Sequence, residues 1–446
     1  MGNHPNAITT IEAAISKLSK DPEEIKDFNS FLDQEKSYLN NMNGRYDYNS
    51  LFKHIGNPSV PAESYIGPIK VEYTEAHGRG LYAAKDIKKG ELVSASKAYA
   101  FYKWNLELKD IPRSQRVNAA HEEMTRNIID RIAGTPEEAQ RINMLYDGKV
   151  APKTVTIEML NPHYQFAPTS EAVDPEKIRR IVKHNSYSVQ YWCTNVCYVK
   201  QTNIKESNPF YTGKFGSGLW LLDSFYNHSC DPNVVSLYIG DVKFVRAIKD
   251  IKVGEELFIQ YLDINESYNS RQRVLKGGYG FDCKCERCAV QGSISTEMKA
   301  KIKKAWRFTF KFGGADNVES KMNNSEELPF MFSVFDEMKG SNIPLRYGID
   351  GKFKRSLLKC CIYLEQNMNY NGSIELYKRI MDWVDDIHLV YAAAEQMVLV
   401  HKQLLSLKNP VTQGRIEDLK KIHMMLYDDE KLFNEKYKAF IFPLAE

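Results

Sequence analysis

Three cysteines stand close together at Cys283-x-Cys285-x-x-Cys288. A tetrahedral Zn²⁺ accepts four ligands at about 2.3 Å, and this spacing lets one turn of chain deliver three thiolates to one ion. A fourth ligand has to come from elsewhere. Cys230, Cys193, Cys197 or a histidine are the candidates. Cys230 stands out because it sits in a polar, turn-like run, Asn227-His228-Ser229-Cys230-Asp231-Pro232-Asn233. Cys193 and Cys197 are four apart with nothing nearby to complete a site, and Cys360-Cys361 lies between Leu358 and Ile362. Both pairs read as core.

The Asn227–Asn233 run is itself a second signal. Its side chains bond neighbouring backbone, so it is at least a rigid turn. It also follows an apolar run, Leu219-Trp220-Leu221-Leu222, and precedes a strand, which puts polar groups at the edge of a core where a ligand could use them. A third signal is His77-Gly78-Arg79-Gly80-Leu81, where two glycines around one arginine permit close approach of backbone to a ligand. It is no dinucleotide fingerprint, because no helix signal follows and the third glycine is missing. The fourth is Gly254-Glu255-Glu256-Leu257-Phe258-Ile259-Gln260-Tyr261, a turn feeding a strand that ends on a phenol.

The elements that must position these groups read as follows. Thr9-x-x-Glu12 is a capping-box pattern, and Asp21-Pro22-Glu23-Glu24 is a second helix start. Ile69–Tyr73 alternates as a half-buried strand, His77–Gly80 is a turn, and extended structure resumes at Leu81. Residues from about 105 to 184 break the strand pattern with helix starts at Thr135-Pro136 and Asp174-Pro175, as a helical insert would. Val234–Ile239, the turn Gly240-Asp241 and Val242–Val245 form a hairpin pattern, and Leu257–Tyr261 a strand. From about 292 the pattern is helical, with Ser373 opening one helix and residues 387–406 forming a long apolar-periodic run. The short gap between Cys288 and a helix near Ser295 leaves little linker, so this helical region is expected to lie against the rest.

Composition bounds the reading. The chain has 446 residues, enough for about three domains at roughly 150 residues each. Hydrophobic residues are 43% and charged residues 26%, an ordinary globular balance. A net charge of +3 argues against a protein built mainly to hold nucleic-acid backbone. No apolar run reaches the ~18 residues of a membrane span. The first residues carry Glu12, Asp21, Glu23 and Glu24 and no apolar signal core. Asn6 stands where a myristoylation motif begun by Met1-Gly2 needs Ser or Thr. A cytoplasmic or nuclear location, with cysteines as thiols or metal ligands, is the expectation.

In the order Gly-Arg-Gly, Asn-His-Ser-Cys, Gly-Glu-Glu…Tyr and Cys-x-Cys-x-x-Cys, the chain resembles the SET-domain protein lysine methyltransferases. It is most similar to the SET-and-MYND branch and its fungal relatives, through the insert, the cysteines and the helical C-terminal region. The resemblance covers residues 66–120 and 180–291 in motif detail. It implies an α+β fold: small curved SET sheets over 66–263, a helical insert, a post-SET zinc loop over 264–291 and a C-terminal helical domain over 292–446. A helical arm occupies 1–65. It also implies an S-adenosylmethionine-dependent protein-lysine N-methyltransferase acting on a histone or another protein. A non-catalytic SET-fold binding module is the alternative. By the resemblance, His77, Arg79 and Leu81 line the methionine end of the cofactor. Asn185, Ser224, Asn227 and His228 hold the rest of it, and Phe281 packs on the adenine or closes the lysine channel. Tyr261 is the catalytic tyrosine, and Cys230, Cys283, Cys285 and Cys288 bind a structural zinc. The expected partner is a protein presenting a lysine, with neither membrane nor nucleic acid, and the oligomeric state stays open. The chain departs from the branch in three places. No MYND finger follows Leu92, Lys183 stands where an acidic residue is expected, and residues 193–215 add a loop.

Overall fold

The computed structural model describes residues 4–17, 22–54, 59–103, 112–152, 154–167, 174–190, 215–262, 266–310, 327–348, 357, 360–361, 364, 370–383 and 387–441. Cys193, Cys197 and all but the last residue of the extra loop expected at 193–215 lie outside them. The chain begins with helices α1 (His4–Lys17), α2 (Pro22–Met42) and α3 (Tyr48–Lys53). The first starts earlier than the capping box suggests. Thr9 and Thr10 sit inside it and donate to the carbonyls of Pro5 and Asn6, so their hydroxyls bond back along the helix and cap nothing.

Strands β1 (Tyr65–Ile66), β2 (Ile69–Thr74), β3 (Gly78–Ala83), β4 (Leu92–Lys97) and β5 (Ala100–Lys103) follow. The turn between β2 and β3 falls at 75–77, one step before Gly-Arg-Gly. Gly78, at φ +69°, closes that turn and opens the strand, a conformation that favours glycine. The insert holds α4 (Arg113–Gly134), α5 (Glu138–Asn143) and α6 (Pro175–Asn185). Asp174 caps α6 by accepting from the Glu176 amide, with Pro175 in the first turn. Asn185 is the last residue of this helix. The strand β6 (Ser186–Gln190) starts after it; the Ser186 amide closes the helix on the Val182 carbonyl, and the Asn185 side-chain amide donates to the Ile181 carbonyl beside it.

Then come β7 (Phe215–Leu219), a 3₁₀ turn at Leu222–Phe225, β8 (Asn227–His228), β9 (Val234–Ile239), β10 (Val242–Ala247) and β11 (Phe258–Ile259). The last is shorter than the Leu257–Tyr261 pattern. The Asn233 side chain accepts from the Phe258 amide and donates to the Glu256 carbonyl, doing there what a neighbouring strand would do. Beyond lie α7 (Tyr268–Val274) with a π turn at Leu275–Tyr279, α8 (Glu286–Ser293), α9 (Thr296–Phe310), α10 (Glu327–Gly340), α11 (Leu345–Gly348), α12 (Tyr370–Trp383), α13 (Ile387–Leu405), α14 (Pro410–Tyr427) and α15 (Glu430–Ile441). Ser373 lies one turn inside α12, its hydroxyl on the Cys361 carbonyl.

Four small sheets organise the middle of the chain, in the orders β1-β4-β10-β9, β2-β3, β5-β7-β6 and β8-β11. The last pair is parallel and joins Asn227 and His228 to Phe258 and Ile259. The four-stranded sheet is covered on both faces. One apolar cluster runs from Leu81, Val245 and Ala247 to the insert residues Met124, Ile128 and Ile181. Another joins Leu237, Val242 and Phe244 to Tyr48 and Leu51 of α3 and to Tyr391, Leu419 and Tyr427 of the C-terminal helices. Arg246 ties these parts together, donating to Gly90 O (2.8 Å), Tyr48 Oη (3.0 Å) and Tyr427 O (3.3 Å). The C-terminal region thus packs on the sheet. Among the described residues, no helix is long and apolar enough to cross a membrane.

Candidate active site and cysteine cluster

The cysteine cluster is built from two distant pieces of chain. Cys230 follows β8, Cys283 and Cys285 precede α8, and Cys288 lies in its first turn. Their four sulfurs lie within 4.8 Å of one another. Bonds of about 2.3 Å to one tetrahedral ion would set sulfurs about 3.8 Å apart, so the cluster has the size and the soft donors for Zn²⁺. Cys230, Cys283 and Cys288 are buried. Cys360 and Cys361 are buried as well, but in a separate apolar cluster among the C-terminal helices.

Arg271, fully buried, faces the sulfurs. Its Nε lies 3.3 Å from Cys230 Sγ and one Nη lies 3.9 Å from Cys288 Sγ. It also donates to the Glu266 carbonyl and to Gln291 Oε1. Sequence reading did not find Arg271. Its only signal was an arginine on an otherwise polar helix.

His228 connects the cluster to Tyr261. Its Nδ1 accepts from the Tyr261 amide (3.0 Å), so Nε2 carries the proton and points it at Cys230 Sγ, 3.2 Å away. The Tyr261 phenol in turn donates to the Tyr226 carbonyl at 2.7 Å. Burial, with Tyr279 and Glu256 nearby, pushes this phenol above its usual range, so it stays protonated and its hydrogen stays on that carbonyl. The oxygen lone pairs are left facing away from Tyr226.

Aromatic rings gather around Tyr261 and His228. Tyr279 lies 5.1 Å from the Tyr261 ring, His228 5.3 Å from it, and Phe281 6.1 Å from His228. Tyr279 is 47% exposed and Phe281 36%, so both present a face to solvent at the mouth of the site. Tyr187 of β6 donates to the Asp223 carbonyl at 2.7 Å. Burial, then the neighbouring Tyr261, raises its phenol well above the usual range. Sequence reading missed Tyr187 and Tyr279, although Gly277-Gly278-Tyr279-Gly280-Phe281 alternates aromatics with glycines just ahead of the cysteines.

The Gly-Arg-Gly strand forms the other edge. The Asn227 amide reaches across to Arg79 O (2.9 Å), His77 O (3.3 Å) and Glu256 Oε1 (2.7 Å). Its donors therefore serve the protein's own turn. His77 Nδ1 lies 2.6 Å from Glu256 Oε2, and half of its side chain is exposed. A Cβ on Gly80 would meet Glu256 Oε1 at 2.4 Å, whereas one on Gly78 would meet nothing within 4 Å. The backbone at Gly78 is thus an open shelf, and that at Gly80 is packed tight. Arg79 stacks over the Phe225 ring at 4.6 Å and donates to the Met144 carbonyl; burial lowers its pKa to about 10, which still leaves it charged at neutral pH.

The remaining sequence candidates are placed less openly. Leu81 is fully buried in the main core, with its carbonyl taken by the Leu257 amide. Asn185 is buried, with its amide on Tyr146 O and Ile181 O. Ser224 donates to Trp220 O. The structure therefore brings His77, Asn227, His228, Tyr261 and Phe281 around one region. It leaves Leu81 and Asn185 supporting that region from within.

Comparison with known proteins agrees with this architecture. Residues 78–262 match the family described as "SET domain". The chain is 39% identical over 113 residues to "Histone-lysine N-methyltransferase SMYD3" of Homo sapiens, covering 25% of this chain and 24% of that protein. It is 42% identical over 78 residues to "Histone-lysine N-methyltransferase ATXR4" of Arabidopsis thaliana, covering 17% and 24% respectively. A "Methyltransferase" of Gibberella zeae is 25% identical over 313 residues, covering 66% of this chain and 41% of that one. The chain thus matches about a quarter to two fifths of the length of these relatives. The solved structure "Rubisco LSMT bound to Sinefungin and Monomethyllysine" overlays at 13% identity across 85% of this chain and 93% of that chain, with a TM-score of 0.24, too loose to bear on the fold. From Gly78 in the Gly-Arg-Gly strand to Leu262, the residue after Tyr261, the chain matches the SET domain.

Proposed function

We propose that the protein is a protein-lysine N-methyltransferase that uses S-adenosylmethionine, and that Cys230, Cys283, Cys285 and Cys288 hold a structural zinc. The observation that carries the reading is the Tyr261 phenol, fixed on the Tyr226 carbonyl within a cluster of aromatic rings inside a SET domain.

Such an enzyme needs a neutral amine held in line with an electrophilic methyl, and it needs water excluded. S-adenosylmethionine supplies that methyl as a sulfonium, an electrophile that requires no metal or strong base. The open backbone at Gly78, with His77 and Arg79 beside it, suits the charged amino-acid end of this cofactor. The exposed face of Phe281 suits its adenine. Leu81 and Asn185 would act on it through the backbone they hold. Ser224, Asn227 and His228 likewise shape the turn, because their donors are already committed to the protein.

A free lysine has a pKa of about 10.4 and must lose its proton before attack. Walls made by Tyr187, Tyr261, Tyr279 and Phe281 disfavour the charged ammonium by desolvation. The Tyr261 hydrogen is committed to the Tyr226 carbonyl, so its oxygen lone pairs are free to accept from the amine and aim the nitrogen. Zinc would clamp the loop carrying Tyr279 and Phe281 over the site and hold Tyr261 in place through His228. The test is incubation with methyl-labelled S-adenosylmethionine and a denatured protein extract, then hydrolysis to amino acids. Labelled methyllysine supports the reading. Label on another residue, or none, contradicts it.

A further inference from the structure

One buried ion pair lies behind this site without a part in the mechanism described. Lys243 belongs to β10, all six of whose residues are buried because apolar clusters cover both faces of its sheet. Its Nζ lies 3.1 Å from Oδ1 of Asp223, and both side chains have no exposure. Neither group has an aligned hydrogen bond among the described residues. Tyrosine rings enclose the ammonium instead, Tyr187 at 4.0 Å, Tyr238 at 5.7 Å and Tyr226 at 5.9 Å. Burying two charges this deeply costs several kcal/mol per ion, and a well-packed apolar pair of similar volume is often as stable or more so. Stability alone is therefore a poor account of the pair.

Its position offers a better one. The Asp223 carbonyl receives the Tyr187 hydroxyl, and three residues along the same turn the Tyr226 carbonyl receives the Tyr261 hydroxyl, each at 2.7 Å. Lys243 thus grips the turn through the Asp223 carboxylate and Tyr187 through its ring. Tyr261 and Tyr279 are also near enough to Tyr187 to perturb its phenol. We propose that the Lys243–Asp223 pair is a positioning device for methyl transfer. It locks Tyr187 and the 222–226 turn so that the two tyrosine hydroxyls and their carbonyls keep the spacing the amine needs. This rests on the lysine-methyltransferase reading.

The test replaces the pair by two neutral versions, Asp223→Leu/Lys243→Met and Asp223→Asn/Lys243→Gln, so that no buried charge is stranded. Methyl transfer from labelled S-adenosylmethionine to a lysine-containing peptide library is measured for these and the wild type, with melting temperature and cofactor KM alongside. The proposal expects folded proteins with cofactor KM within about twofold of wild type and a rate at saturating cofactor lower by about tenfold or more, because small misplacements of reacting groups are expensive. A purely structural pair would change melting and leave the rate of the folded protein alone. Tyr187→Phe, which keeps the ring and its packing, must show the same split. Wild-type rate in a folded pair variant, or in Tyr187→Phe, overturns the proposal. A wild type that methylates no lysine instead overturns the enzyme reading, and this proposal falls with it.

Discussion

Arg271 offers a test whose sign depends on whether the cysteine cluster is charged. The guanidinium is fully buried, and its acceptors are two sulfurs, a backbone carbonyl and an amide oxygen, none of them a carboxylate. Were four thiolates to hold Zn²⁺, the cluster would carry a formal charge of −2 and Arg271 would be its buried counter-charge. Arg271→Met keeps the volume and removes the charge. Two charge-assisted contacts to sulfur at roughly 1.5–3 kcal/mol each, or equally the cost of breaking a buried pair, give a loss of about 3–5 kcal/mol. That corresponds to roughly 10²- to 10⁴-fold weaker zinc binding. At roughly 2–4 °C per kcal/mol for a unit of this size, the metal-loaded protein should melt about 6–20 °C lower. With four neutral thiols the logic reverses. Arg271 would then be a stranded buried cation, and its removal would leave stability equal or higher. The assay is competition for zinc against a chromophoric chelator, with melting curves recorded before and after chelator treatment. A metal-loaded Arg271→Met protein that melts at or above wild type would refute the thiolate–guanidinium account.

Two further expectations concern the packing that holds the site. Arg246→Met removes donors to Gly90, Tyr48 and Tyr427 at once, and should cost about 3 kcal/mol in urea unfolding; an unchanged midpoint would contradict the clamp. His423 is buried between Tyr391 and the Asp429 carbonyl, and burial, helped by the nearby Lys436 charge, lowers its pKa to about 3. The unfolded chain, with an ordinary histidine pKa near 6.5, then binds the extra proton as pH falls below that value. Stability from this group is therefore complete above about pH 6.5 and is lost on acidification towards pH 3, at up to about 1.4 kcal/mol per pH unit. Between pH 6.5 and 5 the wild type should lose about 2 kcal/mol more than His423→Gln, and parallel pH profiles for the two would count against a neutral buried imidazole.

The parts of the site legible in the sequence were those fixed by local spacing. Cys283, Cys285 and Cys288 announce a cluster because three soft donors so close together have little other use. The Asn227–Asn233 run announces a turn because each of its side chains can bond neighbouring backbone. Residues that act across the fold left no such trace. Lys243 occupies a strand position that would face water in a sheet with one wet face. Here the sheet is covered on both sides, and the lysine turns inward to Asp223. Tyr187 and Tyr279 meet Tyr261 only because β6, the turn at 222–226 and the π turn converge. Boundaries slipped where a side chain replaced a backbone partner. Asn233 shortens β11 by taking the bonds of Phe258 and Glu256.

The central claim is that Tyr261 orients a lysine amine for methyl transfer. Its most direct test is the rate of methyllysine formation by wild type and Tyr261→Phe at saturating S-adenosylmethionine, with cofactor affinity measured by calorimetry on both. The phenylalanine keeps the ring against His228 and Tyr279 and loses only the hydroxyl held by Tyr226. The account predicts unchanged cofactor affinity and a rate lower by about 10²- to 10³-fold, the typical cost of one oriented group in a transition state. Equal rates in the two proteins would contradict it.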